Sequence, residues 1–244
     1  MANESAGGDS AVSMLKIEQL NQYYGQSHTL WDLDLEVPEG QCTVLMGRNG
    51  VGKTTLLNCI MGLQPIRAGS IQYGDLDLRR VGAEQRASLG IGYVPQGRQI
   101  FPLLSVEENL LIGLPARRDG LRRIPGFIFE MFPVLHQMLG RRGGDLSGGQ
   151  QQQLAIGRAL VTDPRLLILD EPTEGIQPNI VAEIGNIVRR LNREMGLTVL
   201  LVEQKLPFAR KVADRFCLLD RGRAVATGGM AALNDDLIQQ YLTV

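Results

Sequence analysis

Two stretches near the start of the chain alternate apolar and polar residues. From Leu30 to Val37, Leu33, Leu35 and Val37 fall on one side and Asp32, Asp34 and Glu36 on the other, and Met14 to Asn21 alternates in a similar way. A period of two predicts antiparallel strands with one solvated face, with Tyr23 and Tyr24 in the loop between them. Further along the pattern changes. Cys42–Met46, Ile91–Val94, Leu166–Leu169 and Leu197–Val202 are short and almost continuously apolar, as strands covered on both faces are. Gly69–Tyr73 reads as another strand, followed by a polar helix around Ala83–Leu89. Leu56, Leu57, Ile60 and Met61 share one face of a helix that Gly62 stops. Ile180, Val181, Ile184, Ile187, Val188 and Leu191 form one stripe of a helix that opens at Pro178 and runs to Gly196. Phe216–Leu219 and Arg223–Ala226 flank the turn Asp220-Arg221-Gly222 as a closing hairpin. Apolar strands alternating with helices predict an α/β core with a mainly parallel sheet, preceded by an antiparallel β subdomain. From Gly97 to about Thr162 only helices and loops are expected, including one opened by the capping box Ser105-Val-Glu-Glu108. This stretch is the candidate inserted helical subdomain within a domain spanning 14–244, and residues 1–13, small and polar, read as a flexible extension.

The chemistry centres on Gly47, Arg48, Asn49, Gly50, Val51, Gly52, Lys53, Thr54 and Thr55, which fit G-x-x-x-x-G-K-[ST] between a strand and a helix. Glycines allow φ > 0 and let several backbone N–H groups approach one phosphate. The helix start adds unbonded N–H groups and its positive dipole end. Lys53 supplies a charge for the β- and γ-phosphates and the Thr54 hydroxyl a ligand for Mg²⁺, so a nucleoside triphosphate is expected here. Asp170-Glu171 closes the strand Leu166–Leu169. A carboxylate at such a tip holds Mg²⁺ in phosphate-loop enzymes, and a second beside it can polarise the attacking water. Gln96 follows the strand Ile91–Val94 at the edge where open α/β sheets gather ligands. Ser147-Gly148-Gly149-Gln150 opens a long helix and offers a second anion-binding end. Tyr23 and Tyr24 supply rings that could pack or stack on a purine.

Composition narrows the partners. A hydrophobic fraction of 44% and a charged fraction of 21% are ordinary for a globular protein, and a net charge of −1 gives no reason to expect nucleic acid. The arginine pairs at 117–118, 122–123 and 141–142 read as solvated edges of the helical stretch. Cys42, Cys59 and Cys217 sit in apolar surroundings without metal-ligand spacing and read as reduced core residues. No apolar run is long enough to cross a bilayer, and the N-terminus lacks the basic and apolar regions of a signal peptide, so the expectation is a protein of the cytosolic side.

The ordered set Gly47–Thr55, Gln96, Leu146–Gln150 and Leu166–Glu171 resembles the nucleotide-binding subunit of ABC transporters, from Met14 onward. The resemblance implies a P-loop ATPase in which Tyr24 stacks on adenine and Gln96 senses Mg²⁺ and the γ-phosphate. Ser147, Gly148 and Gly149 close on ATP held by an opposing subunit, while Asp170 binds the magnesium and Glu171 is catalytic. It implies a head-to-tail, ATP-dependent dimer on the cytoplasmic face of the inner membrane, attached to transmembrane permease subunits. Two positions depart from the family pattern: Gln204 stands where a histidine is expected and Gln177 where an aspartate is expected. Gln204 can hydrogen-bond a phosphate oxygen but carries no charge. These departures, with Tyr93–Pro102 and Val202-Glu-Gln204, resemble the shorter ATPase subunit of importers for branched-chain amino acids and urea, in which that subunit pairs with an unlike ATPase and a periplasmic binding protein delivers the substrate. Leu-Ser-Gly-Gly-Gln-Gln-Gln-Gln (146–153) and Thr-Glu-Gly-Ile-Gln-Pro (173–178) tilt the resemblance to urea. A branched-chain amino acid importer and a lipopolysaccharide-export ATPase stay as alternatives.

Overall fold

The computed structural model describes residues 12–243, so the expected extension at 1–13 lies outside the described residues except for its last two positions. Two long strands, β1 (Ser13–Tyr24) and β2 (Ser27–Pro38), pair antiparallel, and β4 (Ala68–Tyr73) and β5 (Leu76–Asp77) extend them into a four-stranded sheet of order β2-β1-β4-β5. Tyr23 and Tyr24 are the last residues of β1, paired with His28 and Ser27, and not in a loop as the alternation suggested. The reason is local. Register shifts at Ile17/Leu20, Leu20/Gln22 and Gln22/Tyr23 interrupt the period of two while the ladder continues past them.

The second sheet has six strands in the order β10-β9-β3-β8-β7-β6. Strands β3 (Cys42–Met46), β6 (Ile91–Val94), β7 (Leu166–Asp170), β8 (Thr198–Val202) and β9 (Arg215–Asp220) run parallel; β10 (Arg223–Gly229) folds back on β9. Every residue of β3, β7 and β8 is buried, because both faces are covered. Alternate residues therefore serve two cores. Leu45, Leu166, Ile168, Leu200 and Val202 face the four-stranded sheet and α1 (Lys53–Ile60). Val44, Met46, Leu167, Leu169, Val199 and Leu201 face the other helices.

Four of those helices lie between β6 and β7: α3 (Val106–Leu111), α4 (Gly126–Met131), α5 (Pro133–Gln137) and α6 (Gly148–Val161), after the short α2 (Ala83–Arg86) that precedes β6. The capping box predicted at Ser105 is formed, with Glu108 N donating to Ser105 Oγ and Ser105 N to Glu108 Oε2. α7 (Pro178–Arg193) buries Ile184, Ile187, Val188 and Leu191 on one face. The helices α8 (Leu206–Val212) and α9 (Asp235–Tyr241) complete the chain and are absent from the sequence reading.

Arg117 departs from a solvated edge. Its side chain is 7% exposed, pairs with Asp119 and donates to the Val161 carbonyl at 2.9 Å. Cys42, Cys59 and Cys217 are buried and unpaired, as expected.

Candidate active site

The phosphate loop leaves the buried end of β3 and enters α1 at Lys53. Gly47 and Gly52 have φ of +155° and +109°, and both are also sterically required. A Cβ on Gly47 would stand 2.3 Å from the Leu219 carbonyl oxygen, and one on Gly52 2.8 Å from Leu30 Cδ2. The loop is thus wedged between the end of β9 and β2, and backbone N–H groups rather than side chains are left to meet a ligand. Lys53 Nζ donates to the carbonyls of Gly47 at 2.8 Å and Arg48 at 2.9 Å. Burial lowers its pKa, against the opposing pull of Glu171, Asp170 and Glu203. Arg48, Asn49, Gly50 and Thr54 are exposed, Thr55 is half-buried and Val51 packs inward.

The tips of β7 and β8 deliver the acidic groups to the same place. Glu171 N donates to the Val202 carbonyl at 2.9 Å, which pins the residue after β7 to the end of β8. Glu171 takes φ +47°, an uncommon conformation for a residue with a Cβ. Its carboxylate accepts from Gln204 Nε2 at 2.6 Å and from Gln96 Nε2 at 3.3 Å, and lies 4.0 Å from Lys53 Nζ. Gln204 Nε2 also donates to Asn49 Oδ1 of the phosphate loop at 2.8 Å, and Gln96 Nε2 to Glu174 Oε2 at 2.9 Å. Asp170, 3% exposed, has one carboxylate oxygen, Oδ2, buried without a hydrogen-bond partner among the described residues. Burial first, and the neighbouring Glu171 second, push its carboxyl up to about 6. A buried carboxylate oxygen with no donor is a costly arrangement that a cation relieves. Asp170, with the Thr54 hydroxyl and the Gln96 amide oxygen expected from the sequence to join it, would offer only hard oxygen donors, which suit Mg²⁺.

The other predicted residues lie apart. Ser147 caps α6, accepting from Gln150 N at 3.3 Å while Ser147 N donates to Gln150 Oε1 at 2.9 Å. Gly148 lies against the Arg98 guanidinium, 3.1 Å from where its Cβ would be, and Gly149 against Ile180, at 2.8 Å. Among the described residues no hydrogen bond or ion pair joins Ser147–Gln150 to the phosphate loop. Tyr24 is 44% exposed at the end of β1. The neighbouring rings Tyr23, His28 and Trp31 stack on one another at centroid distances of 4.0 and 3.5 Å.

Two residues that matter to this geometry escaped the sequence reading. Arg98 donates to Gln151 Oε1 at 3.3 Å, fastening the stretch after Gln96 to the start of α6. Glu203, 3% exposed, bonds around both strand tips. The available signal for Glu203 was an acid directly after an apolar strand, the same signal that marked Asp170.

The model of the family described as ABC transporter matches residues 30–174. The chain belongs to the ABC transporter family. This ABC protein is 40% identical over 232 residues to the high-affinity branched-chain amino acid transport ATP-binding protein BraG of Pseudomonas aeruginosa, covering 94% of this chain and 99% of that one. It is 35% identical over 216 residues to the probable branched-chain amino acid transport ATP-binding protein LivF of Archaeoglobus fulgidus, covering 88% and 92%. Among solved structures, a dimeric post-hydrolysis ATP-binding cassette bound to ADP and phosphate superposes with a TM-score of 0.78 at 26% identity, over 89% of this chain and 99% of that one. A nucleotide-free cassette gives 0.79 at 28% identity, over 94% and 95%. The fold is that of an ABC ATPase and the chain is an ATP-binding ATPase subunit.

Proposed function

We propose that this chain is the ATP-hydrolysing motor of an importer for urea or a related small amide. The observation that carries the motor reading is Glu171, held by Gln96 and Gln204 beside the partnerless Asp170 oxygen and 4.0 Å from Lys53. In this reading the triphosphate lies on the N–H groups of residues 47–55, and Lys53 leaves the Gly47 and Arg48 carbonyls for the β- and γ-phosphates. Asp170, Thr54 and Gln96 would hold Mg²⁺, which when bound would neutralise charge on the phosphate oxygens. A water oxygen attacks the γ-phosphorus, the bond to the ADP oxygen breaks, and Glu171 takes the proton from the water. Gln204 orients Glu171 with one amide N–H and turns the other from Asn49 Oδ1 to a phosphate oxygen. Tyr24 stacks on adenine, and Ser147, Gly148, Gly149 and Gln150 meet the ATP of the opposing subunit.

The helical stretch 97–162 is the subdomain that carries Ser147 toward that opposing ATP. Phe101 and Leu103, 46% and 81% exposed, are its contact with the permease on the cytoplasmic face of the membrane. The opposing ATPase is an unlike subunit, because Gln204 and Gln177 stand where charged residues serve the family, and a periplasmic binding protein supplies the cargo. Urea is supported by the phrases at 146–153 and 173–178. Branched-chain amino acid import is the second reading, favoured by the 40% identity to BraG. The test is uptake of labelled urea and labelled leucine by cells lacking this chain, with and without it restored. Loss of urea uptake alone is expected; loss of leucine uptake alone would overturn the urea assignment and select the second reading.

A further inference from the structure

Glu203 is the one buried acid of the site that the hydrolysis scheme leaves without a task. It follows β8 directly and is 3% exposed. Oε2 accepts from the Thr173 hydroxyl at 2.7 Å. Oε1 accepts from the backbone N–H of Gln204 at 2.8 Å and of Lys205 at 3.0 Å. Lys205 Nζ crosses the same gap in the opposite direction and donates to the Thr173 carbonyl at 2.9 Å. All three bonds to the carboxylate come from donors, as an acceptor-only group requires. They are charge-assisted, short and shielded from water, so they hold more firmly than neutral surface bonds.

The partners identify what is being held. Thr173 stands two residues after Glu171, and Gln204 immediately follows Glu203. Glu203 therefore closes a clip across the exits of β7 and β8, the two segments from which Glu171 and Gln204 reach each other at 2.6 Å. We propose that Glu203 is the positioning residue of this ATPase: it fixes the backbone of Gln204 and the turn after Glu171 in one frame, and so sets where the Glu171 carboxylate stands. The inference rests on the assignment of Glu171 and Gln204 made above. Glu203 touches neither nucleotide nor attacking water in that scheme and acts through its two neighbours. The clip matters because Glu171 sits at φ +47°, which the surrounding bonds must maintain, and because a displacement of about 1 Å of a reacting group costs on the order of 100-fold in rate.

The experiment is steady-state ATP hydrolysis by the assembled transporter carrying Glu203→Ala, Glu203→Gln or Thr173→Val, with nucleotide binding by the full chain measured alongside. Glu203→Ala is expected to lower kcat by roughly 10- to 100-fold with KM and ATP affinity within about threefold, since the phosphate loop keeps its own bonds. Glu203→Gln is expected to recover most of kcat: its amide oxygen can still accept from both backbone N–H groups, and its amide nitrogen can donate to the Thr173 oxygen, whose hydroxyl rotates to accept. Thr173→Val removes one arm of the clip and is expected to fall between the two. If Glu203→Ala is folded and keeps kcat within twofold, the proposal is overturned. Parallel damage to kcat and ATP affinity, without recovery in Glu203→Gln, would overturn it too and assign Glu203 to general folding. If Glu203→Ala does not fold, Thr173→Val decides: unchanged kcat there rejects the clip, and a selective loss of kcat supports it. Glu171→Gln serves as the control on the underlying scheme, for normal turnover in that variant would remove Glu171 as the base while leaving the measured Glu203 effect to be read by itself.

Discussion

Two regions to which the proposed function gives nucleotide chemistry are built in opposite ways. At the strand tips, Lys53, Asn49, Gln96, Asp170, Glu171 and Gln204 converge from different elements, and the cluster is polar, runs from buried Lys53 and Asp170 to exposed Asn49, Gln96 and Gln204, and is incompletely satisfied. Asp170 Oδ2 has no partner, and Lys53 is held by loop carbonyls. At the start of α6 the residues come from one segment and satisfy each other: Ser147 and Gln150 exchange both bonds of a capping box. The first region stores unmet demand for a cation and an anion. The second is finished as a helix end and only offers its remaining N–H groups outward. This difference says which half of the work each does. In the proposed scheme the tips assemble chemistry within one chain, and the helix end serves the nucleotide of the opposing subunit.

The largest expected effect falls on the strand tips. Glu171→Gln should lower phosphate release by the assembled transporter by roughly 100- to 10,000-fold, because an amide cannot take a proton, while nucleotide binding by calorimetry stays near that of the parent. Retained turnover would move the chemistry elsewhere and erase the contrast.

The next effect sharpens the claim of unmet demand. The Asp170 carboxyl is raised to about 6, so the folded protein holds this proton more tightly than the unfolded chain does. That contribution to stability is complete below about pH 4 and is lost as pH climbs through about 6. Asp170→Asn removes the loss. Thermal melts without nucleotide should show the variant more stable at pH 7.5 by about 2 to 3 kcal/mol, with the gap closing toward pH 4. A gap that does not move with pH would mean that Asp170 is not strained by its burial.

The smallest effect tests the other region. Ser147→Ala removes one cap and should cost about 1 kcal/mol of stability. Nucleotide affinity of the isolated chain should stay within about twofold, while turnover of the assembled transporter falls. A matching loss of affinity in the isolated chain would show that the helix end acts within its own subunit.

Most of the sheet and the phosphate loop were legible because each rests on a local pattern. Short apolar runs read as covered strands when Gly47 to Thr55 follows one of them, and Pro178 with its stripe of apolar residues states a helix openly. What escaped depends on partners remote in sequence. Arg86 lies in a stretch that reads as polar, yet it is 3% exposed and donates to the carbonyls of Cys59, Ile60, Leu78 and Val81, where it caps the end of α1. Nothing near Arg86 in the chain announces the carbonyls of Cys59 and Ile60, 27 and 26 residues away. The clip at Glu203 is hidden for the same reason, its Thr173 partner being 30 residues away. Residues Tyr23 and Tyr24 were misplaced because strand irregularities erase a period of two without ending the ladder. The helices α8 and α9, seven residues each, are too short to repeat a pattern.

The grip of Lys53 on the Gly47 and Arg48 carbonyls bears on the pace of the cycle. The loop is tied to the first turn of α1 by its own side chain, so ATP meets a ring already shaped instead of ordering one. In the proposed scheme arrival is then governed by diffusion and by the local field, and the bonds displaced at Lys53 are replaced by bonds to phosphate. When ADP departs, the ammonium has carbonyls to return to. Each round of turnover can therefore end without the loop unfolding, and the motor resets by exchanging one set of hydrogen bonds for another.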